Sequence, residues 1–139
     1  MPRTRVETRA RARVLQALYA WDLRRGPPLE RVAMQIWDDL AVPPDERHLA
    51  GLLVGTLSQH GAELDDELTE VTTNWRLERL GVVDRSVLRL AAAELQRGET
   101  PPRVVIQEAV RLAERYGTVK SAKFVNGVLD ALARRMGRM

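Results

Sequence analysis

Apolar residues recur along this chain every three or four positions, and no segment alternates apolar and polar as a half-buried strand must. Only helices can gather such a rhythm onto one buried face. Proline and glycine set the breaks. A first helix is expected from about Thr4, as N-cap, to about Arg24, stopped by Gly26-Pro27-Pro28. A second covers about Leu29–Leu40, with Val32, Ile36, Trp37 and Leu40 as its buried stripe. Val42-Pro43-Pro44-Asp45 then restarts the chain, proline suiting a first helical turn. The third segment runs towards Val71, bent near Gly61, with Leu49, Leu52, Leu53, Leu57, Leu64 and Leu68 inward. Its Gly51 and Gly55 form a small-xxx-small pair, expected to pack closely on a neighbour. A short turn holding Trp75, Leu77 and Leu80 precedes helices over about Val83–Arg97 and Arg103–Tyr116, the latter ended by Gly117. Ser121 is expected to cap the last helix, which buries Val125, Val128, Leu129 and Leu132. About seven short helices with brief links predict one all-α bundle spanning residues 1–139.

The residue inventory removes most chemistry. With no cysteine, disulfides, thiolate metal sites and thiol catalysis are excluded, and two histidines twelve residues apart, His48 and His60, cannot share one helical metal face. No phosphate-binding glycine loop, dinucleotide fingerprint or zinc-protease motif is present. The acidic run Asp65-Asp66-Glu67 with Glu70 is expected to be a solvated helix face, and Ser58 and Ser86 have no base nearby in sequence. No cofactor is expected. The longest aliphatic run, Leu52-Leu53-Val54, is too short for a membrane span, and arginines interrupt any leader-like apolar start. A cytoplasmic protein is expected.

Charge distribution says more than the formal net charge of +3. Among the cations only Lys120 and Lys123 are lysine; the rest are arginine. Arg3, Arg5, Arg9, Arg11 and Arg13 crowd the start against the single acid Glu7, and Arg134, Arg135 and Arg138 close the chain. On the first helix Val6, Ala10, Val14, Ala17, Leu18 and Trp21 share one arc, while Arg5, Arg9, Arg13, Gln16 and Tyr19 lie opposite. Guanidinium groups one helical turn apart are spaced about 6 Å, near the phosphate spacing of an extended strand, and their forks bind phosphate bidentately. Tyr19, at the edge of that face, can stack on an unpaired base. Composition therefore favours nucleic-acid binding, with an acidic protein partner or plain solubility as the alternatives.

Three blocks carry a family resemblance. R-x-R-A-R-V-L-Q-A-L-Y-A-W-D-L at Arg9–Leu23, L-G-V-V-D-R-S-V-L-R-L-A-A-A-E-L at Leu80–Leu95, and V-I-Q-E-A-V-R-L-A-E-R-Y-G at Val105–Gly117 followed by S-A-K-F-V-N-G-V-L-D at Ser121–Asp130 resemble, in order, the motifs of the NusB family of bacterial antitermination factors. The resemblance implies a NusB-like fold of two small helical subdomains packed as one domain, with halves at 1–72 and 73–139. It implies no catalysis; a monomer or weak homodimer is expected. It further implies binding of the single-stranded boxA element of ribosomal RNA leaders together with ribosomal protein NusE, and loading onto the RNA polymerase antitermination complex. The family's Arg-rich first helix matches Arg9, Arg11 and Arg13, with Arg3 and Arg5 upstream and Tyr19 as its aromatic. Lys123 and Phe124 match the basic-aromatic pair on the same RNA-facing side, and Gln16 and Lys120 join them as expected RNA contacts. Asp84, and more weakly Arg85, match the NusE surface. Asn126-Gly127 is expected to serve helix packing. The chain departs from the family pattern at Gln107, Ala93 and the loop residues Val119 and Lys120. A protein-only adaptor, its arginines meeting an acidic partner, is the alternative.

Overall fold

In the computed structural model, described for residues 5–72 and 76–139, the chain is helical throughout: α1 (Arg5–Arg24), α2 (Leu29–Asp39), α3 (Pro44–Val71), a 3-10 turn (Leu77–Arg79), α4 (Val82–Arg97), α5 (Pro102–Tyr116) and α6 (Ser121–Arg135). Six α-helices and one short turn thus stand where about seven helices are expected, and no strand occurs among the described residues. Thr4 and Trp75 lie outside the described residues. The helix α3 runs through Gly61 without a break in its assignment. Contacts divide the chain into two compact units, Met1–Gln59 and His60–Met139. That division falls inside α3, upstream of the 72/73 position expected for the two halves.

In the first unit α1 packs on α2. Ala10, Val14, Ala17 and Leu18 of α1 and Leu29, Val32, Ala33 and Trp37 of α2 are buried, as are Ala50, Leu53, Val54 and Leu57 of α3. Each Leu or Val so enclosed contributes about 1.5–3 kcal/mol relative to exposure. The Trp37 indole Nε1–H donates to the Arg13 carbonyl at 3.1 Å, tying α2 to the middle of α1. Leu40, expected inside, is exposed: α2 ends at Asp39, and Ala41 at φ 51° turns the chain, carrying Leu40 outward. Leu52 also faces out. Gly51 and Gly55 are exposed, and a Cβ added at either meets nothing within 4 Å, so they do not serve the close packing their spacing suggests.

In the second unit α4, α5 and α6 pack on one another. Val87, Leu88, Ala91 and Leu95 of α4, Val105, Ile106, Ala109 and Ala113 of α5, and Val125, Val128, Leu129 and Leu132 of α6 are buried. Gly98 takes the left-handed conformation at the C-cap of α4, φ 69°, which glycine adopts without strain. Gly117 is needed for a different reason. Its φ is ordinary, but an added Cβ would lie 2.5 Å from Ser121 Oγ and 2.7 Å from the Ala113 carbonyl. The N-cap of α6 is Lys120; Ser121 is the first helical residue, and its Oγ accepts the Thr118 N–H at 2.9 Å, closing the turn before the helix.

Candidate nucleic-acid interface

The outer side of α1 carries Arg9, Gln16 and Tyr19 exposed, with Arg13 at its edge, its side chain 25% accessible. Leu23 extends this face by another turn and is 58% exposed, an apolar position that the charge pattern did not single out. Beneath the arginines lies Glu46, third residue of α3 and only 2% exposed. Arg13 Nε–H donates to Glu46 Oε1 at 3.1 Å, and Arg9 Nη1 stands 3.8 Å from Glu46 Oε2. Arg13 Nη1 also donates to Gln16 Oε1 at 3.3 Å. Burying a carboxylate costs several kcal/mol unless cations and hydrogen bonds compensate. Here two arginines and the positive end of α3 do so. Nothing local marked Glu46 for this role; the first-turn acid was visible, but its partners are at least 33 residues away.

Arg11, expected as an RNA contact from the match to the family's first helix, is instead 5% exposed and interacts within the protein. Two residues along a helix are about 200° apart, so Arg11 points away from Arg9 and Arg13, among the apolar residues. Arg3 lies outside the described residues, and Arg5 is the first residue of α1.

The remaining expected contacts belong to the second unit. Lys120 and Lys123 are exposed at the start of α6, and Phe124 beside them is half-buried. Asn126 and Gly127 are exposed too, and a Cβ at Gly127 meets nothing within 4 Å, so helix packing does not explain this glycine. Asp84, third residue of α4, is half-buried, with Oδ1 enclosed and lacking a hydrogen-bond partner among the described residues. Arg85, expected on the partner surface, is instead 7% exposed. Its Nη1 donates to the Leu80 carbonyl at 2.6 Å and approaches those of Glu78 and Leu77 at 3.3 and 3.4 Å, fastening the 3-10 turn to α4.

Other charged residues have structural work. In the acidic run, Asp65 receives both Nε and Nη2 of Arg89, at 3.0 and 3.1 Å, and Glu67 accepts from Arg135 Nε at 2.8 Å. In that run Asp66 and Glu70 are exposed, and Asp65 and Glu67 are half-buried. Of the departures from the family pattern, Ala93 is completely buried, whereas Gln107, Val119 and Lys120 are exposed. His48 is exposed, and His60 Nδ1 lies 3.7 Å from Glu63. Among the described residues no three acidic or histidine side chains are placed to hold a metal, and no helix is long and apolar enough to cross a membrane.

Residues 8–134 match the NusB family. A transcription antitermination protein NusB from Solibacter usitatus is 44% identical over 131 residues, covering 92% of this chain and 88% of that protein. The protein of the same name from Anaeromyxobacter dehalogenans is 44% identical over 129 residues, covering 91% and 89%. Among solved structures, T. maritima NusB superposes with a TM-score of 0.84 at 36% identity, over 96% of this chain and 93% of that one. A chain from a complex of antitermination factors NusB and NusE with dsRNA gives 0.86 at 32% identity, over 96% and 99%.

Proposed function

This chain belongs to the NusB family, RNA-binding antitermination factors rather than enzymes, and on that premise we propose that it binds boxA single-stranded RNA of ribosomal RNA leaders. It does so with ribosomal protein NusE, in the cytoplasm, as a monomer or weak homodimer, and the complex loads onto RNA polymerase. The observation that carries this reading is the exposed face of α1, where Arg9, Gln16 and Tyr19 stand together. Arg3, Arg5, Arg9 and Arg13 take phosphates, Gln16 hydrogen-bonds, and Tyr19 stacks on a base, the combination that single-strand recognition uses. Lys120, Lys123 and Phe124 contribute from α6, and Asp84 meets NusE. Arg11 and Arg85 are left out because both are spent inside the fold. That a similar chain was solved in a complex of NusB and NusE with dsRNA supports NusE and RNA as the classes of partner.

Titration of boxA RNA, a scrambled strand and a duplex, each with and without NusE, tests the proposal. BoxA should bind tightest, and tighter with NusE. Four phosphate contacts should give a slope of log affinity on log salt of about −2.8. Replacing Arg5, Arg9 and Arg13 together with Ala should weaken boxA binding at least as much as binding of the scrambled strand; unchanged affinity overturns the reading. Equal affinity for boxA and scrambled RNA, with NusE binding intact, would instead mark a protein-only adaptor.

A further inference from the structure

We propose that Glu46 is a positioning residue for the RNA face of α1, holding Arg13 directly and Arg9 by charge in the orientation that phosphate recognition requires. The inference rests on the α1-face reading above. Exposure is graded across the three side chains: 3% at Glu46, 25% at Arg13 and 58% at Arg9. The carboxylate therefore sits beneath the cations instead of competing beside them for solvent. Of the five N–H donors of a guanidinium, Arg13 commits Nε to Glu46 and one on Nη1 to Gln16. The other three are uncommitted among the described residues. A free arginine loses considerable rotamer freedom on clamping a phosphate; one already held along one edge loses less.

A second effect opposes this one. Glu46 removes one unit of charge from the face, which weakens long-range attraction of RNA. The two effects give Glu46→Gln opposite signs. If Glu46 only dilutes positive charge, the substitution tightens RNA binding. If it positions Arg13, the substitution weakens binding even though the face becomes more positive.

The test uses the full chain, a boxA-type single strand and a scrambled strand, at two salt concentrations. Glu46→Gln should bind the boxA-type strand about three- to tenfold more weakly, and the scrambled strand more weakly too, because the phosphates that Arg13 meets are common to both. In an Arg13→Ala background the same substitution should cause little further loss, whereas a general structural role would lower affinity equally in both backgrounds. Unchanged or tighter binding by Glu46→Gln, or an undiminished effect without Arg13, overturns the inference. Circular dichroism checks that the variant folds. If it does not, Glu46→Asp keeps the charge but draws the acceptor back from Arg13; it should still lower boxA affinity, and unaltered affinity overturns the inference equally. Should Arg9→Ala/Arg13→Ala leave RNA binding intact, the α1-face reading itself fails. Should that pair weaken binding while Glu46→Gln does not, only the positioning role fails.

Discussion

Arginine crowds both ends of this chain, yet its partners differ. Near the C-terminus Arg134 Nε donates to Asp130 at 3.0 Å, Arg135 Nε to Glu67 at 2.8 Å and Arg138 Nη2 to the Gln96 carbonyl at 2.9 Å. Each cation there has its own acceptor. On α1 two arginines share one carboxylate, and that carboxylate is buried. Within the second unit Arg135 and Arg138 reach other helices and Arg134 pairs inside α6, whereas the α1 arrangement leaves two cations to one carboxylate. Counting arginines therefore says little about nucleic-acid binding. The ratio of cations to acceptors on the folded surface says much more.

The largest effect expected from this contrast is on stability. Arg13→Ala strands the Glu46 carboxylate, 2% exposed, with only Arg9 at 3.8 Å, and should cost about 2–4 kcal/mol in urea unfolding. Glu46→Gln leaves arginines that water can reach and should cost less. The reverse order would show that the carboxylate is not the buried partner. Arg85→Ala removes the donor to three carbonyls around the 3-10 turn and should cost about 1–3 kcal/mol. NusE affinity measured on the folded fraction should not change; a selective loss of NusE binding would return Arg85 to the partner surface.

Next comes RNA affinity. Arg9→Ala/Arg13→Ala should weaken boxA binding about tenfold and reduce the magnitude of the salt slope by about 1.4. Arg134→Ala/Arg135→Ala should change affinity less than about twofold. Equal losses from the two pairs would erase the distinction between the clusters. The smallest effect is on the stability of that C-terminal pair. Their ion pairs are partly exposed, so each substitution should cost at most about 1 kcal/mol by thermal unfolding.

Helix positions were legible because local physics sets them. Proline and glycine at residues 26–28, 43–44, 98, 101–102 and 117 punctuate the chain: α1, α4 and α5 end, and α2, α3 and α5 begin, within two residues of those breaks, whereas α2 ends at Asp39, four residues before Pro43, and α3 ends at Val71 with no such residue beside it. The α1 faces were legible for the same reason, down to the exposed Gln16 and Tyr19. Motif matching read Arg9, Arg11 and Arg13 as a block and missed the turn of the helix between them. Arg85 was misplaced because its acceptors lie in a turn without a strong periodic signal.

By itself the sequence determined that the chain is helical, where most of its helices begin or end, and that no cysteine or histidine cluster supports redox or metal chemistry. Those properties depend on residue type and on neighbours within a few positions. Only the tertiary structure decided which cations are available. It buried Arg11, spent Arg85, Arg89 and Arg135 on acceptors 5 to 68 residues away, and placed Glu46 under Arg9 and Arg13. Charge pairing acts through space, and which side chains meet depends on how separate helices pack rather than on any one helix's period.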